Sequence, residues 1–130
     1  MRFPFNFRPQ FAAAVERGDK RQTVRKNRAD HKVPQPGDWA MLYTGLRTRN
    51  TRLLNEGPVA RCRRVRIDPR ERTLVIDGEL QDLEQTTAFA KADGFDTRLA
   101  MFRFFEEAHG GMTFDGFCVE WEPKHVGAIA

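Results

Sequence analysis

Two β-branched runs joined by a short turn constrain the fold of this chain more than any other feature. Residues 59–67 and Thr73–Ile76 are rich in valine, isoleucine and other strand-forming residues, and Asp68 and Pro69 begin the turn between them. The pattern predicts a β-hairpin, because two such runs on either side of a short polar turn can pair directly.

Three further segments have the length and patterning of strands. Gln22–Lys26 is brief and alternating, which places Thr23 and Arg25 on one face. Trp39–Thr44 is a nearly continuous apolar run, and residues 112–121 carry apolar side chains at period two. These strands and the hairpin together predict a small, mostly antiparallel sheet.

Helical signals accompany these strands. Pro9–Arg17 begins with a proline suited to the first helical position and is followed by Gly18, a typical C-cap residue. Leu83–Ala92 and residues 97–109 have helical spacing of apolar residues, whereas residues 47–57 have no clear period and are predicted to be a loop. We therefore expect an α+β fold, a small mixed β-barrel, mostly antiparallel, with peripheral helices.

Length and composition fit one domain. The chain has 130 residues, of which 40% are hydrophobic, and a chain of this size can bury a core without metals or disulfides. We expect a single domain over residues 1–123 and a loosely attached tail over residues 124–130. The sequence does not predict the oligomeric state.

The expected compartment is the cytoplasm. Cys62 and Cys118 are isolated and not spaced as metal ligands, so we expect reduced thiols. Residues 1–11 are interrupted by charges and prolines and lack the apolar stretch of a signal peptide, and no window is long enough to span a membrane. The three histidines are scattered, so we expect neither a metal site nor a cofactor.

Charge indicates the class of partner. The net charge is +4 and the pI is about 9.5. Basic residues concentrate in residues 17–32 and 47–72, whereas acidic residues concentrate in residues 77–84 and 106–122. This asymmetry suits a ligand that carries phosphates, such as a nucleic acid or a nucleotide. A solvated surface that happens to be basic would give the same composition.

The segment over residues 18–25 reads Gly-Asp-Lys-Arg-Gln-Thr-Val-Arg. It resembles the G-x-K-x-x-T-x-R signature of ASCH domains, a branch of the PUA-like superfamily, and it stands between a helix and a strand as it does in that family. Other features agree in family order: Pro36-Gly37-Asp38, Asp77-Gly78, Ala92-Asp93-Gly94-Phe95 and Phe114-Asp115-Gly116-Phe117. The resemblance implies a PUA-like barrel and a ligand that is RNA, another nucleic acid or a nucleotide, with RNA favoured.

Two cations of this segment are candidates for phosphate binding. Lys20 and Arg25 follow a helix end and can project donors into a cleft, where an arginine binds phosphate in a bidentate manner. They could instead form structural ion pairs with acids such as Asp38 and Asp93. The predicted loop contributes further candidates for phosphate contacts: Arg47, Arg49 and Arg52.

The same segment also suggests catalysis. It is similar to N4-acetylcytidine amidohydrolases at Lys20 and Thr23, and that branch uses a lysine, a threonine and a glutamate. Asp93 stands where the glutamate is expected, and it is shorter by one methylene. The resemblance implies that Lys20 activates Thr23 or stabilises an oxyanion while Asp93 acts as the base. Alternatively, Asp93 is a turn residue at a helix end.

Three functions therefore remain open from the sequence. The first is a nucleic-acid or nucleotide binding module, in which an aromatic ring such as Tyr43 contacts a base while Trp39 is expected in the core. The second is an enzyme of the same family, either an amidohydrolase acting on acylated cytidine or an RNA-cleaving hydrolase. The third is a protein-interaction domain that uses the same cleft.

Overall fold

A computed structural model describes residues 1–127. Contacts between Cα atoms divide the chain into two compact units. Unit 1 comprises Met1–Gln22, Pro34–Cys62 and Val119–Ala130, and unit 2 comprises Thr23–Val33 and Arg63–Cys118.

The described residues form a mixed α+β fold. Its elements are β1 (Arg2–Phe7), α1 (Pro9–Arg17), β2 (Gln22–Lys26), β3 (Trp39–Thr44), β4 (Arg52–Asp68), β5 (Thr73–Ile76), β6 (Glu79–Leu80), α2 (Leu83–Ala92), α3 (Arg98–His109) and β7 (Phe114–Trp121). Strands pair in the order β1-β3-β4-β5-β6, and β7 pairs with β2 and β4. The pairing within residues 1–127 is open at β1, β2 and β6, so the sheet is confirmed and the closed barrel stays a prediction.

In unit 1, the parallel pair β1–β3 builds one wall of a core. Alternate residues of β1 are buried, namely Phe3, Phe5 and Phe7, and helix α1 adds Phe11 and Val15. Strand β1 was not predicted from the sequence, although its phenylalanines follow a period of two. Pro4 is accommodated because β1 ends the path of paired strands.

Strand β4 is longer than predicted. It begins at Arg52, so the predicted loop over residues 47–57 is wrong for its second half. The reason is tertiary, because these residues pair antiparallel with β3, from Thr44↔Arg52 to Trp39↔Pro58. Leu54 is an extra residue in this register and forms a bulge.

The C-terminal segment is also more ordered than expected. Backbone hydrogen bonds hold it against β4 and α1: Glu122 N to Pro58 O at 3.0 Å, Lys124 N to Glu56 O at 2.8 Å and Gly127 N to Arg17 O at 2.8 Å. The tail expected over residues 124–130 is therefore attached as far as residue 127. Its remaining part, residues 128–130, lies outside the described residues.

Unit 2 contains the predicted hairpin and the predicted pair of helices. The second half of β4 pairs antiparallel with β5, from Val65↔Ile76 to Asp68↔Thr73. Helix α2 spans the predicted residues Leu83–Ala92, and in the structure it begins at a capping box between Asp82 and Gln85. Among the described residues, none of the helices has the length and apolar character needed to cross a membrane.

Candidate functional site

The end of helix α1 fixes the start of the candidate segment. Gly18 has a φ of +80° and ends the helix in the left-handed conformation that glycine adopts most easily. The next two backbone N–H groups, of Asp19 and Lys20, both donate to Ala14 O, at 2.9 and 3.0 Å. A Cβ at position 18 would also lie 2.8 Å from His125 O. The backbone that carries Lys20 is therefore tightly positioned within unit 1.

Lys20 is a buried cation. Only 4% of its surface is exposed, and its Nζ lies 5.0 Å from the centre of the Phe11 ring and 5.9 Å from that of Phe7. Both aromatic faces attract an ammonium group. The sequence predicted that Lys20 projects into a cleft toward phosphate. In the structure its side chain is buried against the rings of Phe7 and Phe11.

Thr23 and Arg25 lie together on β2 in unit 2. Arg25 Nε donates to Thr23 Oγ1 at 3.1 Å, and Thr23 is 5% exposed. The hydrogen bond agrees with the prediction that both side chains share one face of the strand. Because the hydroxyl oxygen accepts from the guanidinium, the hydroxyl proton can be donated to a ligand or to a base.

Asp93 supplies a negative charge in the same unit. It caps the C-terminus of α2, is 5% exposed, and donates its backbone N–H to Phe89 O at 3.0 Å. A carboxylate is disfavoured there, because the helix dipole is negative at that end and burial removes solvation. A nearby cation offsets both costs.

Arg25 provides this compensation. Burial lowers the pKa of Arg25 to about 10, and the charge of Asp93 acts in the opposite direction to raise it. Thr23, Arg25 and Asp93 therefore form an interacting polar cluster in unit 2, which we call the Thr23 cluster. The electrostatic interaction between Arg25 and Asp93 agrees with the structural ion pair that the sequence left open.

Asp38, the other acid considered as a partner, is occupied within unit 1. Its carboxylate accepts from Gln35 N at 2.9 Å and from the N-terminal ammonium of Met1 at 3.0 Å. The Gln35 hydrogen bond and then the ammonium group lower the pKa of Asp38. This carboxylate therefore fixes the turn before β3 and the start of β1.

The loop arginines differ in their availability. Arg47 and Arg49 are exposed, whereas Arg52 forms an ion pair with Glu16. The loop is closed by hydroxyl groups that donate to Gly45 O, from Thr48 at 2.6 Å and from Thr51 at 2.9 Å. A phosphate can therefore reach Arg47 and Arg49 directly, but at Arg52 it would compete with a carboxylate.

The net positive charge of the chain resides in unit 1. This unit holds 10 Lys and Arg residues against 6 Asp and Glu residues, a net charge of +4, whereas unit 2 holds 12 of each and is neutral. A polyanion is therefore attracted chiefly by unit 1.

Unit 2 also has an open groove with a volume of about 590 Å³. Its lining includes Asn27, Arg66 and Asp115 but none of the Thr23 cluster. Arg66 Nε donates to Asp115 at 2.8 Å, so the charges in its wall are largely neutralised. We place the candidate site at the Thr23 cluster because Thr23 and Asp93 are buried, burial lowers the pKa of Arg25, and such interacting groups concentrate at functional sites.

Comparison with known proteins returned no match: no family model, no curated protein and no solved structure matches this chain. The likeness to ASCH domains therefore remains a hypothesis about residues 18–25 and the motifs that follow them. Among residues 1–127, no group of three or more His, Cys, Asp and Glu side chains is placed to hold a metal ion.

Three buried polar residues were not singled out from the sequence: Gln22, Asn55 and Thr86. Gln22, immediately before Thr23, is 4% exposed, and Asn55 on β4 is 1% exposed. Gln22 stands inside the recognised segment, so its position was a usable signal. Nothing local marked Asn55, because the residues that bury it come from α1 and the C-terminal segment.

Proposed function

We propose that this chain is an ASCH-type nucleic-acid or nucleotide binding module, with RNA as the favoured ligand, and that residues 18–25 provide its site. One observation carries the proposal. Six polar or charged residues are buried among residues 1–127, and three of them, Lys20, Gln22 and Thr23, fall in this one segment. Burying polar groups costs free energy, so their concentration in one short stretch of the sequence favours a functional reason.

The Thr23 cluster has the chemistry to recognise a nucleotide. A guanidinium donates in a fork that matches phosphate or two acceptors of a base, and a hydroxyl both donates and accepts. In this proposal Arg25 binds a phosphate or a base oxygen while Thr23 contacts the base. Asp93 positions Arg25 and offsets its charge until the ligand arrives.

Phosphates outside the cluster would meet other cations. Arg47 and Arg49 are exposed and belong to the positively charged unit, and Arg52 could exchange Glu16 for a phosphate. Such contacts position a nucleic acid without reading its sequence. Lys20 would contribute only where the ligand reaches its enclosed Nζ.

The finer features of the fold and setting belong to the same proposal. We propose that the mostly antiparallel sheet corresponds to a PUA-like barrel, that residues 1–123 act as one domain, and that the protein works in the cytoplasm. The order of strands is compatible with these proposals, as is the fact that neither Cys62 nor Cys118 forms a disulfide.

Measuring RNA affinity as a function of salt tests the binding proposal. Affinity for a short single-stranded RNA should fall with salt at a slope of about 0.7 per phosphate contact in a double-logarithmic plot. Arg25→Ala should weaken binding about 10- to 150-fold, because a charge-assisted hydrogen bond contributes about 1.5–3 kcal/mol. Arg103→Ala, an exposed arginine of α3, is the matched control and should bind like the wild type.

Two outcomes would count against this proposal. Binding that does not depend on salt would show that the protein does not bind RNA through its phosphates. Equal losses in Arg25→Ala and Arg103→Ala would show a general effect of charge rather than a site at residues 18–25. Circular dichroism of each variant separates loss of binding from loss of folding.

Catalysis is the second candidate function, and the hydrogen bond from Arg25 to Thr23 favours it. This bond stabilises a developing alkoxide on Thr23, and a carboxylate in the same unit can accept a proton. Under this alternative, Lys20 assists Thr23, Asp93 is the base, and the substrate is N4-acetylcytidine or an RNA phosphodiester.

Incubation with N4-acetylcytidine separates the two functions. An amidohydrolase would release acetate, Thr23→Ser would retain part of the activity, and Thr23→Val would lose it while remaining folded. Full activity in Thr23→Val would exclude the threonine mechanism. If the protein binds RNA but neither deacetylates N4-acetylcytidine nor cleaves RNA, it is a binding module. If it binds no nucleotide, the protein-interaction domain is the function that is left.

A further inference from the structure

The sheet of unit 1 has a second face, opposite its buried core. Strands β1, β3 and β4 are adjacent, and their registers bring the outward-facing residues of each strand side by side. We call this the outer face, and it comprises Arg2, Pro4 and Asn6 of β1, Trp39, Met41 and Tyr43 of β3, and Leu53, Glu56 and Pro58 of β4.

Trp39 and Tyr43 are accessible on this face, which corrects the expectation that Trp39 lies in the core. Ala40 and Leu42 between them are fully buried, whereas Trp39, Met41 and Tyr43 are half-buried. Trp39 Nε1 donates to Glu56 Oε1 at 3.0 Å, and this hydrogen bond holds the indole in place on the surface. A ring that is held in place loses little conformational freedom when a ligand binds.

The spacing of these side chains suits an unstacked chain of bases. Successive side chains on one face of a strand are about 6.6 Å apart, since each residue advances about 3.3 Å. Bases stacked in a duplex repeat every ~3.4 Å, about half that distance. Each side chain on the outer face of β3 can therefore contact one base of an unstacked strand. We call these side chains the platform; it consists of the rings of Trp39 and Tyr43 with Met41 between them.

Positive charge lies at both ends of the platform. Arg2 is in register with Trp39, and Asn6 is in register with Tyr43. Asn6 Oδ1 accepts from Leu46 N at 2.8 Å and so anchors, beside Tyr43, the loop that carries the exposed Arg47 and Arg49. Together with the net charge of +4 on unit 1, this arrangement favours a polyanion over an uncharged apolar partner.

We propose that the outer face binds single-stranded nucleic acid by stacking bases on Trp39 and Tyr43, with Arg2 and the Arg47–Arg49 loop on its phosphates. The inference rests on the proposed function for the class of partner, but it uses residues outside the segment 18–25. Glu56 positions the indole, and its carboxylate can accept a hydrogen bond from an amino group of a base.

Intrinsic fluorescence provides a direct test on the full chain. Of the two tryptophans, Trp121 is 1% exposed and Trp39 is on the outer face, so a stacking base should quench Trp39 selectively. Titration with a single-stranded RNA of mixed sequence should quench the wild type, whereas a duplex of the same sequence should quench it much less. Trp39→Phe should lose the quenching but keep most of the affinity.

Affinity measured with a labelled RNA completes the test. Trp39→Ala and Tyr43→Ala should each weaken binding of the single strand by about 5- to 150-fold, the range found for loss of one stacked base. Leu80→Ala and Met112→Ala, which also remove exposed apolar side chains, are controls and should bind normally.

The outcomes distinguish this inference from the proposed function. Loss of affinity in Trp39→Ala with normal binding in Arg25→Ala supports the outer face and counts against the segment 18–25. The reverse result overturns the outer face and leaves the proposed function intact. The inference would be wrong if tryptophan fluorescence did not change or if duplex and single strand bound with equal affinity. If the wild type bound no RNA at all, both the inference and the proposed function would be wrong.

Discussion

Replacing Asn55 with leucine should destabilise unit 1 strongly. The side chain is 1% exposed and joins three segments of the unit. Its Nδ2 donates to Val15 O and Glu16 O, both at 3.3 Å, and to His125 O at 2.8 Å. Its Oδ1 accepts from Glu56 N at 2.9 Å and His125 N at 3.2 Å. Leucine has a similar volume but can make none of these hydrogen bonds.

The expected loss can be worked out from these contacts. A buried polar group left without a partner costs about 1–3 kcal/mol. The bonds to His125 O and Glu56 N have good distances, whereas the others are longer and contribute less. We therefore expect the free energy of unfolding to fall by about 3–5 kcal/mol, a large part of the ~5–15 kcal/mol typical of a domain.

Urea unfolding of the wild type and the variant measures this loss. Asn50→Leu, a substitution in the exposed loop, is the matched control and should change the free energy of unfolding by less than about 0.5 kcal/mol. Because Asn55 also holds His125, trypsin should cleave after Lys124 faster in Asn55→Leu than in the wild type. If the free energy of unfolding fell by less than about 1 kcal/mol and trypsin cleaved the variant and the wild type at the same rate, Asn55 would not be the residue that joins the three segments.

Two further predictions concern unit 2. In Gly116→Ala the new Cβ would lie 2.1 Å from Arg25 O, so we expect β2 to shift, the free energy of unfolding to fall by more than about 2 kcal/mol and RNA affinity to fall with it. The control Gly78→Ala has open space around the new Cβ but a positive φ, and it should lower the free energy of unfolding by about 1 kcal/mol. Equal losses of the two variants in urea unfolding would contradict this prediction. Burial, and then the charge of Lys26, lowers the pKa of His109 below 6.5, so the unfolded chain binds a proton first and stability should decline as pH falls through about 6.5. His109→Phe should lessen that decline in thermal melts recorded against pH, and a decline as steep as that of the wild type would contradict the assignment.

Local signals predicted much of the fold. The bounds of α1, β2, β3, β5 and α2 agree with the sequence patterns, because Pro9, Gly18 and the Asp82 capping box define helix ends locally. The start of β4 could not be found this way. Residues 52–57 lack a strand pattern, and they become a strand because β3 pairs with them.

The candidate site shows the same division. The period of a strand predicted that Thr23 and Arg25 share a face, and their hydrogen bond confirms it. The burial of Lys20 was not predictable, because it depends on Phe7 and Phe11, which reach it from β1 and α1. The accessibility of Trp39 likewise follows from the register of β1 and β4 around β3.

A crystal structure of the protein soaked with a cytidine ribonucleotide would show whether residues 18–25 hold the ligand. Ligand density should lie within hydrogen-bonding distance of Thr23 Oγ1 or the Arg25 guanidinium, with the interaction between Arg25 and Asp93 weakened or rearranged. Arg25→Ala crystals soaked in the same way should show no ligand there. A nucleotide bound in the groove beside Arg66 and Asp115, with Thr23 and Arg25 unchanged, would contradict the assignment of residues 18–25 as the site.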